Sequence, residues 1–153
     1  MKVIVLILIA LFLQGCSEPA PKDSELIEVF ERNRDTFTQL QEMICADDFG
    51  TVSMDPEWSD PENIPVIVKR KYYDLFLKIG VSQLRSYDGC RATFSVWSVG
   101  FSGDGDYKNY QFRPRKIDNI VNNLDNLSLN NTDYISFHRE IEKNWFISYI
   151  HWP

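Results

Sequence analysis

At Gly80 the spacing of apolar side chains changes from a helical period to alternation, which divides the chain into a helical first half and a sheet-forming second half. Before the switch, Leu26, Phe30, Phe37, Leu40 and Ile44 recur at helical spacing. They follow Asp23 and Ser24, good N-cap residues with Glu25 in the first turn, and predict a helix ending near Ala46. Asn33 falls in that apolar stripe, either as a buried donor lining a pocket or on a helix rotated to leave it near solvent. A second helix is expected from Pro65, a residue suited to a first turn, to Ile79, with Gly80 as C-cap. Ile64, Val68, Tyr72, Leu75 and Ile79 line its apolar face.

After Gly80, Ser82–Tyr87, Arg91–Val99 and Tyr107–Arg113 read as strands. The second places Ala92, Phe94 and Val96 on one face and Thr93, Ser95 and Trp97 on the other. Gly103-Asp104-Gly105-Asp106 could suggest a calcium loop, but a hairpin connection accounts for it better, since glycine supplies positive φ and aspartate bonds its own backbone. Pro114 stops the strand; Ile117, Ile120, Val121 and Leu124 predict a third, shorter helix, ended by the Asn-rich run to Thr132. Tyr134–Ile141 and Trp145–Trp152 form a closing hairpin, too apolar for a bare sheet edge and so expected in a central or covered position. Thr51–Met54 is a candidate short strand. The order predicts an α+β fold, with two or three helices packed on an antiparallel sheet of about five strands in a single domain over residues 23–153.

The front of the chain carries a different signal. Lys2 precedes an unbroken apolar run from Val3 to Leu13, too short to cross a hydrocarbon core of about 30 Å as a helix, and this reads as a signal peptide over residues 1–15. The run closes on Leu13-Gln14-Gly15-Cys16, which resembles the lipobox of bacterial lipoproteins. That resemblance implies diacylglycerol on the Cys16 thiol, cleavage before it and acylation of the new amine. Several acyl chains at about 0.8 kcal/mol per buried methylene hold a protein firmly on a bilayer. Residues 16–22, polar and broken by Pro19 and Pro21, read as a flexible tether. Ser17 after the lipidated position resembles lipoproteins sorted to the outer membrane, which implies a cell-envelope location on its periplasmic face.

Charge narrows the partners. The chain carries a formal charge of −6, and Lys2 is the one charged side chain in residues 1–15, so the remainder is more acidic by one unit. A nucleic-acid partner is not expected, since phosphate recognition needs a basic footprint. Lipidation accounts for one of three cysteines, leaving Cys45 and Cys90 as an even pair. In an oxidising compartment a structural disulfide is expected; two buried free thiols are the alternative.

Residues 47–63 concentrate Asp47, Asp48, Asp55, Glu57, Asp60 and Glu62 around Pro56, Trp58 and Pro61. The segment is either an acidic recognition loop with an aromatic anchor, its candidate interaction surface being Asp55, Glu57, Trp58, Asp60 and Glu62, or a solvated loop whose Trp58 folds onto the core. A hard-cation site there lacks the EF-hand spacing.

His138 and His151 stand on the two closing strands. A tight turn at 142–144 sets His138 opposite Ser148 or Tyr149 and His151 near Ile135 or Ser136, so they do not converge on a metal. No Gly-x-Ser-x-Gly elbow, His-Glu-x-x-His helix or phosphate-binding glycine loop is present. The expectation is therefore a lipid-anchored, non-enzymatic module that binds a protein in the periplasm, by analogy with small envelope proteins of immunity or inhibitor type, with no cofactor, metal or catalytic residue. The alternatives are a small-molecule binder or hydrolase with a pocket between helices and sheet, using Asn33, Tyr110 or His138, and a housekeeping envelope component.

Overall fold

The computed structural model describes residues 18–101, 104–127 and 133–153. The signal segment 1–15, Cys16, Ser17, Gly103 and much of the Asn-rich run lie outside the described residues. The elements in order are α1 (Asp23–Arg32), α2 (Arg34–Asp47), β1 (Thr51–Ser53), a 3-10 turn (Pro56–Trp58), α3 (Val66–Ile79), β2 (Gln83–Tyr87), β3 (Arg91–Phe101), β4 (Asp104–Phe112), β5 (Ile135–Glu142) and β6 (Trp145–Trp152). The strands form one sheet ordered β1-β2-β3-β4-β6-β5, every neighbouring pair antiparallel. The α+β class holds, with six strands rather than about five.

The expected first helix is two helices. Asn33 adopts φ −126°, ψ 26°, closes α1 by donating its N–H to the Phe30 carbonyl, and opens α2 by accepting from the Thr36 and Phe37 amides. Its side-chain amide turns back to donate to the Val29 carbonyl at 2.9 Å. An asparagine in an apolar stripe has no buried partner to find, and bonding its own backbone breaks the ladder instead. The break leaves Phe30 and Phe37 buried together, ring centroids 5.1 Å apart. The second expected helix stands as α3, capped by Gly80 at φ 66°, with the Gly80 and Val81 amides both donating to the Phe76 carbonyl.

The expected third helix is absent. Residues 118–121 instead lie beside β5 through an isolated parallel bridge at Ile120, with Asn119 at φ 49°: the Val121 N–H donates to the His138 carbonyl at 2.9 Å and the His138 N–H to the Asn119 carbonyl at 3.2 Å. The bare edge of β5 offers these backbone groups partners, and pairing there outweighs the local helical spacing. Ile117 and Ile120 are consequently exposed, while Leu124 alone is buried.

The opposite edge is covered too. Asp60 forms an isolated antiparallel bridge with Thr51 on the outer side of β1, through N–H to carbonyl bonds of 3.0 and 2.8 Å. Of the closing hairpin, β6 is internal and β5 is the strand that segment 118–121 covers.

The core lies between the helices and one face of the sheet. Phe37 sits 4.6 Å from Tyr110 and 5.7 Å from Trp145, with Phe94 a further 5.4 Å from Trp145, centroid to centroid. Tyr110 is fully buried, with its hydroxyl donating to the Leu26 carbonyl at 2.7 Å, and burial pushes that phenol above its ordinary range. Cys45 at the end of α2 is bonded to Cys90 beside the start of β3, Cα atoms 5.2 Å apart, so the expected disulfide joins helix to sheet. From Glu18 onward the expected tether is held: the Glu18 carbonyl accepts from the Trp97 indole at 2.8 Å and the Pro21 carbonyl from Lys108 Nζ at 2.7 Å.

Candidate functional site

Side chains alternate across each strand, so the residues between the core positions face away from the helices. Lys108 and Tyr110 of β4 face the helices, which sends Tyr107, Asn109 and Gln111 to the other side. The pairing extends this across the sheet: Ser53, Gln83, Ser95, Asn109, Ser148 and His138 stand successively opposite one another, one residue from each strand. A β-bulge at Ser95/Trp97 interrupts the register between β3 and β4. Such a bulge bends its strand. It also corrects the expected alternation, because Trp97 stands opposite Lys108, Val96 being the extra residue.

The helix-free face carries two depressions of about 630 and 670 Å³ that share Tyr87, Thr93, Gln111, Tyr134 and Ile150, forming one continuous groove. Around its mouth stand exposed aromatics: Tyr87, Tyr134, Trp58 and Trp152, with the rings of Tyr134 and Trp152 edge to face at 4.8 Å. The floor is polar and largely buried. Asn109, Ser136 and His138 line it and are buried; Ser148, which stands opposite Asn109 and His138, is fully buried and lines neither depression, and Gln111 Oε1 and Ser148 Oγ have no hydrogen-bond partner among the described residues. His138 Nδ1 lies 2.8 Å from the Asp118 carbonyl, and since a carbonyl only accepts, Nδ1 carries the proton and a neutral ring keeps Nε2 as an acceptor.

Of the candidate acidic surface, Asp55 and Trp58 line this groove, whereas Glu57, Asp60 and Glu62 are exposed but do not. Asp55 caps the 3-10 turn by accepting from the Glu57 N–H at 3.1 Å, which sets Trp58 outward, 66% exposed rather than folded on the core. Asn33 and Tyr110, two of the residues named for a pocket, bond the backbone of α1; His138, the third, lines the groove on the opposite face.

A second polar cluster lies on the helix side and is closed. Lys108 Nζ sits 2.8 Å from both Asp23 Oδ1 and Asp125 Oδ1, and Asp23 Oδ2 accepts from the Leu124 N–H and from Arg139 Nη1, each at 2.8 Å. Lys108 and Asp23 are each 1% exposed. Burial raises the Asp23 carboxyl, but the bonds from Lys108, Leu124 and Arg139 outweigh it and hold the group below its ordinary range. A carboxylate so fixed in its charged form has no proton to give, and its neighbours are spent on it.

His151 Nδ1 lies 2.7 Å from Asp106 Oδ1 at the far end of the sheet, the kind of pair that orients an imidazole. Among the described residues no hydroxyl or thiol bonds its other nitrogen, so no nucleophile is assembled there. The register sets His138 opposite Ser148 and His151 opposite Ile135, as expected, so the two rings do not meet. Among the described residues no group of three His, Cys, Asp or Glu side chains is placed to hold a metal.

Comparison with known proteins found no matching family, no similar curated protein and no similar solved structure. The sequence reading missed the groove floor because its residues belong to three different strands. The one signal available was the polar half of each alternating strand, which reads as ordinary solvent exposure until the register lines the strands up.

Proposed function

We propose that this chain is a lipid-anchored, non-enzymatic binding protein of the bacterial envelope that grips a protein partner at the rim of its helix-free sheet face. The observation that carries this reading is the set of exposed aromatics, Trp58, Tyr87, Tyr134 and Trp152, around a groove that no other described part of the chain covers. Tyrosine and tryptophan presented this way are the residues on which interface energy concentrates. Neither imidazole is joined to a nucleophile among the described residues, and the buried carboxylate is locked, which supports binding over catalysis. Two residue steps separate Cys16 from Glu18, at most about 7 Å of chain, so acylation at Cys16 would hold the Trp97 end of the domain close to the bilayer.

The test is capture from envelope extract by the full chain, compared with Trp58→Ala and with a variant neutralised at Asp55, Glu57, Asp60 and Glu62. A partner lost with Trp58→Ala and kept by the charge-neutral form supports the aromatic rim. Equal recovery by wild type and Trp58→Ala removes that rim position from the reading. A second reading, a small ligand in the groove, is favoured by the unpartnered polar atoms of the floor.

A further inference from the structure

Charge is divided unevenly among the three helices. Together α1 and α2 carry seven carboxylates and two arginines, whereas α3 carries Lys69, Arg70, Lys71 and Lys78 against Asp74 alone. None of these four cations lies within salt-bridge distance of a carboxylate among the described residues. The outward face of α3 is also apolar in part. Tyr72, Leu75, Phe76 and Ile79 are buried beneath it, but Val66, Ile67 and Leu77 are 74, 64 and 72% exposed. At 3.6 residues per turn, these three and the exposed Arg70, Lys71 and Lys78 fall within about 140° of arc, with Asp74 the one acid among them.

We propose that the outer face of α3 docks on an anionic phospholipid surface and so orients the domain on the membrane. The proposal rests on the lipid-anchored reading, since acylation of Cys16 is what brings a bilayer within reach. Exposed aliphatic side chains flanked by cations suit the boundary between headgroups and acyl chains, where the apolar groups enter and the cations meet phosphate. The acidic outer sides of α1 and α2 are repelled by the same surface, so the division of charge selects which helix faces it. An acidic protein is a poorer match. Lysine is depleted in protein interfaces and aromatics are enriched there, and this face has three lysines in or beside it and no exposed aromatic. The chain path agrees. Three residues beyond α3, the Ser82 N–H donates to the Ser95 carbonyl at 3.0 Å, two residues before Trp97, whose indole holds the Glu18 carbonyl. The last turn of α3 thus lies near the strand that receives the chain from Cys16. The helices cover the side of the sheet away from the groove, so docking through α3 leaves the groove open to a partner.

The test incubates the full chain with phosphatidylcholine or phosphatidylglycerol vesicles, labels it with a water-soluble amine-acetylating reagent, and reads each lysine by mass spectrometry. Labelling of Lys71 and Lys78 should fall about threefold or more on phosphatidylglycerol relative to phosphatidylcholine, with the exposed Lys116 and Lys143 unchanged. The protection should disappear in about 1 M salt and in Ile67→Ser/Arg70→Glu/Leu77→Ser, which alters exposed positions and keeps both reporter lysines. Equal labelling of Lys71 and Lys78 on the two vesicles overturns the proposal, as does equal protection of Lys116 and Lys143. Protection by soluble poly-glutamate with none on phosphatidylglycerol would assign the face to an acidic protein and overturn it too. Retention on phosphatidylcholine, with the acyl mass on Cys16, reports the anchor separately. A chain retained there whose α3 lysines stay unprotected on phosphatidylglycerol removes the docking alone. One protected on phosphatidylglycerol without acyl chains keeps the docking and removes the anchor, and one bound to neither vesicle removes both.

Discussion

Lys108→Met removes the one ammonium at the centre of the buried cluster while keeping a long side chain in its place. In the wild type, Nζ makes three contacts of 2.7 to 2.8 Å, to the Pro21 carbonyl and to the Asp23 and Asp125 carboxylates. The variant leaves Asp23 with Arg139 and the Leu124 amide, and still 1% exposed. Breaking a buried pair by deleting one partner destabilises by about 3–5 kcal/mol, a large part of the ~5–15 kcal/mol that holds a domain together. With a urea slope of about 1–3 kcal/mol per molar, the midpoint should fall by more than about 1 M at neutral pH.

The sign with pH is fixed by which form each protein buries. In the wild type the Asp23 carboxyl sits below its ordinary 3.8, so its contribution is full above that value and is lost only as pH falls through the lower, folded value. Without Lys108 the first cause of its shift, burial, meets less opposition, so the carboxyl takes up a proton at higher pH. Protonation relieves the uncompensated charge, and the gap between variant and wild type should narrow as pH falls from 7 towards 4. Urea melts followed by tryptophan emission at several pH values measure this. A loss under about 1 kcal/mol at pH 7, or one that does not change with pH, would show that the cluster is not the desolvated network described.

Reducing the Cys45–Cys90 bond, or replacing both cysteines by serine, should lower stability by about 4 kcal/mol in the chain-entropy account, read as a shift in thermal midpoint with and without reductant. Phe37→Ala, at the centre of the aromatic core, should cost about 3–5 kcal/mol, whereas Trp58→Ala should change stability by less than about 0.5 kcal/mol, since it removes exposed surface. Gly105→Ala should destabilise the β3–β4 hairpin, because at φ 157° a methyl group would meet the Val99 carbonyl; amide exchange across the Gly100/Gly105 pair reports it. Cys16→Ser should abolish acyl labelling and leave a longer precursor on gels, and unchanged labelling would contradict the lipobox reading.

The elements governed by local pattern were legible in the sequence. Alternation located the strands to within a few residues, and Gly80 marked the end of α3, because each signal is carried by neighbours in the chain. The failures share one cause, tertiary partners that local spacing does not contain. Ile117, Ile120, Val121 and Leu124 have helical spacing, but the open edge of β5 captures residues 118–121 through a backbone bridge at Ile120. Asp23 reads as a helix cap, yet its carboxylate serves Lys108, Arg139 and Leu124, all far along the sequence. The candidate site divided in the same way: Trp58 and Asp55 were visible as an aromatic anchor in an acidic loop, while Asn109, Gln111 and His138 became a floor only through strand pairing.

The two capped edges and the bare face bear on one another. A six-stranded antiparallel sheet has two edges able to recruit other chains and two faces able to bury apolar surface. Here the helices cover one face, Asp60 one edge and residues 118–121 the other, the last leaving Ile117 and Ile120 exposed. That face carries uncharged polar groups, two of them with buried atoms unpartnered among the described residues, beneath exposed aromatic rings, and charged side chains, Arg85, Arg91, Arg115 and Lys116 with Asp55, Asp88 and Asp118, also line its groove. Groups that neither pack, pair nor repel are poorly suited to stabilising the fold, and this is the physical argument for assigning the face to recognition.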